Sequence, residues 1–264
     1  MHTLGMAFLC SHPGAGSIEE QMRLFAEVGF DAVFLSCGVT GGVEAIPRWA
    51  ELAAANGLVF EAGHAPTDGL NAIWQEGEAG ETYVERLRRV IRYCAAGGVD
   101  KLVMHTAAGG DRAPALSSLG LRRFAALEVF AEAEGVHLCY ENADTAPHLT
   151  AVLEQAGAYH GFCYDCGHQA CYTPSEPLLE RFGHRLLYTH IHDNFGDRDQ
   201  HLLPFDGKRD WSAYAAALCD SGYTGSLTLE LACHSSEAYR AMPFDAFVKE
   251  AFCRAERLRD MVEK

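Results

Sequence analysis

Acidic and histidine side chains recur in short motifs, each at the end of a short β-rich stretch of the sequence. The motifs are GHAP at 63–66, His105, Glu141-Asn142, DCGH at 165–168, HIHDN at 190–194 and Glu230. In a shared and partly dry cavity, the carboxylates of Glu141, Asp165 and Glu230 would repel one another unless some were protonated or a cation joined them. A divalent metal is the simplest solution, so these residues predict a metal centre wherever the fold brings them together.

The chain alternates short β-rich stretches with longer amphipathic segments, over eight rounds. The predicted strands are residues 4–9, 32–36, 58–63, 101–106, 137–141, 161–165, 186–192 and 226–231. The predicted helices lie near 18–28, 44–56, 79–96, 117–134, 147–156, 175–182, 210–221 and 237–262. Several of these helices end at a glycine that suits a left-handed cap, namely Gly29, Gly57, Gly135, Gly157 and Gly222. Such alternation is typical of βαβ units and a parallel sheet.

Length and continuity favour a barrel built as one unit. Barrels of eight strand-helix rounds commonly run to about 250 residues, and this chain has 264 with no internal linker or low-complexity tract. We therefore predict an α/β fold of the (β/α)8 TIM barrel type, with one domain over residues 1–264. An open doubly wound sheet is the alternative.

Strand alternation predicts which side chains enter the barrel. In the seventh predicted strand, Tyr188, His190 and His192 share one face, and Thr189 and Ile191 share the face toward the helices. The same alternation turns four other strand-end side chains inward: His105, Glu141, Asp165 and Glu230. In this type of barrel, catalytic groups lie at the carboxyl ends of the strands. A lone histidine or glutamate there is more often structural, but repetition on six strands favours a functional site.

Bulk composition excludes several classes of function. The chain has 48% hydrophobic and 22% charged residues, which is typical of a globular protein with a large core. Its formal charge of −15 disfavours nucleic-acid binding. The sequence contains no run of 18 apolar residues, so no membrane span is predicted. The N-terminus shows no secretory signal, so the ten cysteines are predicted to be reduced thiols of a cytoplasmic protein.

The order of the motifs resembles that of the xylose isomerase-like TIM barrel superfamily, and within it the sugar phosphate isomerases and epimerases. The order is HAP, H-T, E-N, D-x-G-H, H-x-H-D-N, D-x-H-L-x-P and a final strand-borne glutamate, from His64 to Glu230. After Leu203 the chain reads PFDGKRDW, where relatives more often show P-G-E-G before an acidic residue and a tryptophan. This departure leaves the substrate contacts of that loop open.

The resemblance implies a metal-dependent sugar isomerase or epimerase. One divalent ion, Mn²⁺, Mg²⁺, Co²⁺ or Zn²⁺, would be held by Glu141, Asp165, His192 and Glu230. Glu141 and Glu230 would transfer protons next to the carbonyl of a sugar, sugar phosphate or polyol, through a metal-stabilised enediolate. The substrate would be contacted by His168, His64, His105, His190 and Trp211. Whether the chain forms a homo-oligomer is left open.

Two other functions fit the same residues. The related AP endonuclease family 2 binds three zinc ions, and its additional ligands would fall on His64, His105, His168, Asp199 and His201. That implies a metal-dependent phosphoesterase, although the acidic charge argues against abasic DNA as its substrate. A barrel that only binds a metabolite is the third alternative.

Two weaker signals concern the substrate and the core. Arg198, Lys208 and Arg209 follow the seventh strand, where barrels often bind a phosphate, although an exposed and solvated loop is an equal reading. Cys163 begins a C-x-x-C pair, but strand alternation turns it into the barrel interior and predicts a core thiol.

Overall fold

Eight parallel strands form one sheet that curves into a barrel in this computed structural model, which describes residues 1–9, 11–36 and 42–264. The strands are β1 (Leu4–Ala7), β2 (Ala32–Ser36), β3 (Val59–His64), β4 (Lys101–His105), β5 (His137–Glu141), β6 (Gly161–Asp165), β7 (Leu186–His190) and β8 (Leu227–Leu229). Neighbours in the sheet run from β7 down to β1 and then to β8. A bridge between Ile191 and Leu229 joins the two ends. This confirms the predicted (β/α)8 barrel.

Helices connect the strands and cover the outside of the barrel. They are α1 (Ile18–Val28), α2 (Ile46–Ala55), α3 (Glu78–Ala96), α4 (Ser118–Ala133), α5 (Ala146–Gln155), α6 (Cys166–Tyr172), α7 (Leu178–Phe182), α8 (Trp211–Asp220), α9 (Glu237–Ala241) and α10 (Phe244–Val262). Within the described ranges, none is both long and apolar enough to cross a bilayer.

Three helix predictions need correction. The helix predicted at 237–262 is broken, because Pro243 forces the residue before it, Met242, into an extended conformation. The helix predicted at 175–182 is shorter and starts at Leu178, and α6 was not predicted. Gly157 is not a left-handed cap, since α5 ends in an extended Ala156. The other four glycines have φ between 72° and 118°, as predicted.

An apolar layer of side chains lies inside the barrel, directly below the strand ends. This layer consists of Ala7, Phe34, Ala62, Val103, Cys139, Cys163 and Tyr188. Cys163 is therefore a core thiol, as predicted. Because side chains alternate along a strand, the residues two positions after the layer members of β3 to β7 point into the mouth of the barrel; they are His64, His105, Glu141, Asp165 and His190.

A bulge in β3 turns His64 into that mouth. The pairing of β2 with β3 shifts between Val33 and Phe34, so that Glu61 is the extra residue. Phe60 consequently packs in the outer core between sheet and helices, and Ala62 packs in the inner layer. Without the bulge, regular alternation from Phe60 would place His64 on the helix side of the sheet.

Candidate metal centre

The strand ends and the loops after β6 and β7 gather acid and imidazole side chains at one end of the barrel. They form three neighbouring clusters, and in each cluster the possible ligand atoms lie within 4.8 Å of one another. The inner cluster is His64, His105 and Glu141; the central cluster is Glu141, Asp165, His190 and Glu230; the outer cluster is His168, His192, Asp199 and His201. Members of all three clusters line a cavity of about 300 Å³.

The central cluster contains three of the four residues predicted to hold a metal, but its imidazole comes from His190. His190 pairs in register with Asp165 across β6 and β7, so both side chains sit at the same height in the barrel. His192 lies two residues further along the chain and belongs to the outer cluster. The structure therefore does not bring His192 together with Glu141 and Glu230.

Glu141 connects the inner and central clusters. One of its oxygens, Oε2, lies 3.0 Å from Nε2 of His64 and 3.0 Å from Nε2 of His105. The other, Oε1, lies 2.8 Å from Nδ1 of His190. Burial raises the pKa of the Glu141 carboxyl, but the charges of His190 and His105 outweigh burial and hold that pKa well below its ordinary value. Glu141 is therefore an ionised carboxylate although its side chain is only 1% exposed.

Three histidines have their ring orientation fixed by backbone carbonyls. Nδ1 of each lies within hydrogen-bond distance of a carbonyl oxygen: His64 with Ala65 (2.7 Å), His168 with Asn142 (2.9 Å) and His201 with Glu230 (2.8 Å). Since a carbonyl only accepts, each Nδ1 carries the hydrogen and donates it. In the neutral ring, Nε2 then presents a lone pair, yet in all three histidines Nε2 faces a carboxylate oxygen. Two acceptors attract only if a proton or a cation lies between them, and metal-binding histidines are oriented in this way.

The outer cluster is built around Asp199, from the loop after β7. Its Oδ2 lies 3.2 Å from Nε2 of His168 and 3.0 Å from Nε2 of His201. Burial lowers the pKa of His201, but the hydrogen bond to Asp199 and the charge of Glu230 raise it to about 9. Burial raises the pKa of Asp199, but the hydrogen bonds with His168 and His201 outweigh it and lower that pKa. Without metal, shared protons hold this cluster together.

The ring of His192 is enclosed between a helix and another imidazole. It stacks on His201 with ring centroids 3.8 Å apart, and its other face lies against Gly167 at the start of α6. A Cβ on Gly167 would lie 1.9 Å from Cε1 of His192, so this position leaves no room for a side chain. Nε2 of His192 lies 3.1 Å from Oδ1 of Asp165 without the alignment of a hydrogen bond.

Several buried polar atoms of the clusters have no hydrogen-bond partner in the part of the chain that the structure describes. They are Oδ2 of Asp165, Nε2 of His190, both ring nitrogens of His192 and Oδ1 of Asp199. Unpartnered buried polar atoms are costly, and divalent ions satisfy such nitrogen and oxygen donors. The residues present therefore fit a metal. The mixed central cluster suits Mn²⁺, Mg²⁺ or Co²⁺, and the histidine-rich outer cluster suits Zn²⁺.

The predicted substrate-contact residues divide into two groups. His64, His105 and His168 line the cavity, whereas Trp211 and the fully buried His190 do not. Nε1 of Trp211 donates to Oδ2 of Asp193 at 3.0 Å, and its ring packs against Phe205 in the buried base of the loop. Trp211 therefore supports the loop rather than contacting the cavity. The loop cations Arg198, Lys208 and Arg209 do not line the cavity either.

Asp193 is a structural anchor that the sequence analysis missed. Its Oδ1 accepts from the backbone N–H groups of Asn194 (2.8 Å) and Arg209 (3.2 Å). Its Oδ2 accepts from the N–H of Phe205 (3.1 Å) in addition to Trp211. These bonds tie both ends of the loop that carries Asp199 and His201. The sequence signal that could have indicated this role is the position of Asp193, an acidic residue directly after the HIH motif and at the start of a long loop.

Asp165 also starts helix α6, the helix that was not predicted. Its Oδ1 accepts from the backbone N–H of His168 at 2.7 Å, which is an N-cap contact three residues into the helix. Asn142 holds the strand end from the other side, because its side chain exchanges two hydrogen bonds with the backbone of Asp165, at 2.7 and 2.8 Å. The spacing of Asp165 and His168 could have revealed this cap.

Comparison with known proteins agrees with this architecture. Residues 22–250 match the family described as xylose isomerase-like TIM barrel. The uncharacterized protein y4fM of Sinorhizobium fredii (strain NBRC 101917 / NGR234) is 31% identical over 259 residues, covering 93% of this chain and 79% of that protein.

Solved structures share the fold at low sequence identity. A fusion protein of a xylose isomerase-like TIM barrel with 4-hydroxyphenylpyruvate dioxygenase is 17% identical with a TM-score of 0.78. The match covers 99% of this chain and 43% of the fusion protein, so this chain spans less than half of it. D-Psicose 3-epimerase from Clostridium cellulolyticum H10, solved with D-tagatose, is 15% identical with a TM-score of 0.74, covering 98% and 99% of the two chains. From the family match over most of its length, this chain belongs to the xylose isomerase-like TIM barrel family.

Proposed function

We propose that this protein is a divalent-metal-dependent isomerase or epimerase of a small sugar that moves a proton next to a carbonyl. The observation that carries the proposal is the central cluster, in which Glu141, Asp165, His190 and Glu230 converge at the mouth of the barrel. A structural neighbour whose name gives it as D-psicose 3-epimerase supports the same reaction class. The cavity of about 300 Å³ is at the small end of ligand pockets, which suits a monosaccharide.

The central cluster would hold the metal through Asp165 and His190 together with the two glutamates. A divalent ion held there would polarise the carbonyl oxygen and the hydroxyl oxygen on the neighbouring carbon, and so acidify the C–H bond of that hydroxyl-bearing carbon. Asp165 is fully buried and held by the backbone of α6 and by Asn142, so its carboxylate is fixed in position. Such rigidity lowers the cost of ordering the site when substrate binds.

Glu230 and Glu141 would handle the proton. Both line the cavity, but the side chain of Glu230 is 22% exposed and that of Glu141 is only 1% exposed. We assign removal of the substrate proton to Glu230, because its carboxylate is the more accessible of the two. Glu141, kept ionised by its histidine neighbours, would serve the opposite side of the reacting carbon. General acid-base transfer of this kind contributes about 10²–10⁴-fold to the rate.

Proton exchange with solvent tests this assignment. Metal-loaded protein incubated in D2O with a panel of ketoses should incorporate deuterium next to the carbonyl, as followed by NMR. Glu230→Gln should lose this exchange while it stays folded, and Glu132→Gln, which removes an exposed carboxylate on α4, should keep it. Full exchange in Glu230→Gln, or in protein stripped of metal by a chelator, would refute the proposed mechanism.

A second function, hydrolysis of a phosphate ester, is favoured by the two additional clusters. The inner cluster shares Glu141 with the central one, and the outer cluster touches it through Asp165. Three adjacent ions could activate a water molecule and stabilise the attacking and the leaving oxygen during displacement at phosphorus. This alternative predicts three zinc ions per chain and release of phosphate from a phosphomonoester, or nicking of an abasic duplex. Fewer than three ions at saturating zinc would argue against it.

A further inference from the structure

We propose that a second cavity, on the outer face of the barrel, binds a free amino acid with an apolar side chain. The cavity lies among α6, α7 and α8 and has a volume of about 490 Å³, within the usual range of ligand pockets. It shares no lining residue with the cavity at the mouth of the barrel. The inference therefore depends neither on the metal centre nor on the proposed reaction.

Arg209 supplies a cation that has no counter-ion. It is half-buried directly before α8, and its guanidinium lies over the ring of Tyr214, 5.4 Å from the ring centroid. Its hydrogen-bonding neighbour, the Tyr164 hydroxyl, is neutral because burial raises the pKa of that group. No carboxylate of the described residues pairs with Arg209, and its Nε is buried without a hydrogen-bond partner. An unpaired charge that has lost part of its water is costly, so the missing partner is an anion.

The rim of the same cavity carries unpaired acids. Glu176 and Glu180 line it and are exposed, and within the described ranges neither forms an ion pair with Arg209. Asp210 also lines the cavity, but its Oδ1 already caps α8 by accepting two backbone N–H groups at 3.0 Å. A ligand with a carboxylate at one end and an ammonium at the other would satisfy both kinds of unpaired charge. The same glutamates would repel a phosphate dianion.

Gln169 on α6 adds an acceptor that lacks a donor. Its Nε2 donates to the backbone carbonyls of Thr173 and Glu176, the latter at 2.7 Å. Its Oε1 is buried and has no hydrogen-bond partner among the described residues. An amide oxygen only accepts, and an ammonium group offers three donors. The cavity thus combines an unpartnered donor on Arg209 with an unpartnered acceptor on Gln169.

The rest of the lining is largely small and apolar. It includes Ala170, Pro174, Pro177, Leu179, Ala213 and Ala217. Such a surface suits a hydrocarbon side chain and offers few partners to the hydroxyl groups of a sugar. The charges and this surface together specify an amino acid whose side chain is apolar.

Calorimetric titration of the magnesium-saturated protein with L-valine, L-leucine and L-phenylalanine tests the proposal. The amino acid that binds most tightly is then compared with its amine, which lacks the carboxylate, with its deaminated acid, and with inorganic phosphate. The amino acid should bind at least about tenfold more tightly than either organic analogue, because each analogue loses a charged hydrogen-bonding group. Phosphate should show no binding. Failure of all three amino acids to bind, or phosphate binding of equal affinity, would overturn the inference.

Variants locate the binding. Arg209→Gln should weaken amino acid binding at least about tenfold, whereas Lys208→Gln, which removes the adjacent exposed cation outside the cavity, should leave it unchanged. Ala213→Phe blocks the cavity from an exposed position of α8 and serves as the test if circular dichroism shows that Arg209→Gln does not fold.

Binding that survives both Arg209→Gln and Ala213→Phe would place the amino acid elsewhere, for example on the metal ion, and would overturn the inference. Such a result would leave the proposed reaction standing, because that reaction is tested separately by proton exchange in Glu230→Gln.

Discussion

Replacing Gly167 by alanine should empty the outer cluster and spare the central one. Gly167 is the second residue of α6, and its backbone angles are open to alanine, so the effect of the substitution comes from the added Cβ. That Cβ would lie 1.9 Å from Cε1, 2.2 Å from Nδ1 and 2.5 Å from Nε2 of His192. The ring must move by more than about 1 Å to reach ordinary contact, but His201 stacks on its other face.

This displacement is large compared with the tolerance of a metal site. Metal–ligand distances are held to about 0.2 Å, so a shifted His192 no longer contributes to an ion shared with His168 and Asp199. Overpacking of a buried site typically costs about 1–3 kcal/mol in the free energy of unfolding, partly offset by the higher helix propensity of alanine. We expect one zinc ion fewer per chain by mass spectrometry and a lower urea midpoint without added metal.

Gly157→Ala is the matched control. Gly157 is also a glycine of non-left-handed conformation, but a Cβ there would meet nothing within 4 Å. Its zinc content should equal that of wild type, and its stability should be unchanged or higher by up to about 1 kcal/mol. If Gly167→Ala kept the full zinc content and stability, the enclosed position of His192 would be wrong.

Three further predictions follow from buried charges. Burial lowers the pKa of His190 and of His201, but their carboxylate neighbours outweigh it and raise both to about 9. Metal binding at neutral pH should therefore release protons, and the metal affinity should increase as pH rises toward 9. Calorimetry in two buffers of different ionisation enthalpy measures this proton release, and binding without proton release would contradict the prediction. In metal-free protein the same histidines stabilise the fold fully below their ordinary pKa, and that contribution is lost as pH rises through about 9. Burial raises the pKa of Glu61, so its ionisation opposes folding above its ordinary pKa. In urea unfolding, the stability of Glu61→Gln relative to wild type should increase from pH 4 to pH 8, and a decrease would contradict the sign we assign. Asp193→Ala leaves four N–H donors without their acceptor and should lower the free energy of unfolding by more than about 3 kcal/mol in urea; a change below about 1 kcal/mol would deny its anchoring role.

Buried parallel strands are readable from the sequence because both of their faces are apolar. β5 and β6 match their predicted limits, 137–141 and 161–165, residue for residue. Regular alternation from Cys139 and Cys163 then places Glu141 and Asp165 correctly in the mouth of the barrel. Local pattern was sufficient wherever a strand is regular.

The pattern could not choose between His190 and His192, because alternation puts both on the same face of β7. Their heights in the barrel depend on how β7 is staggered against β6, and this pairing shifts at Cys163 where Leu187 is the extra residue. The bulge at Glu61 likewise depends on the pairing of β2 with β3. Register is set by contacts between distant segments, which a single sequence does not display.

Anomalous diffraction at the manganese edge, from crystals grown with Mn²⁺, tests the central claim most directly. The account predicts a peak within bonding distance of Glu141, Asp165, His190 and Glu230, with His192 directed to a separate position. A peak held by His192 in place of His190, or no peak at this cluster, would contradict it.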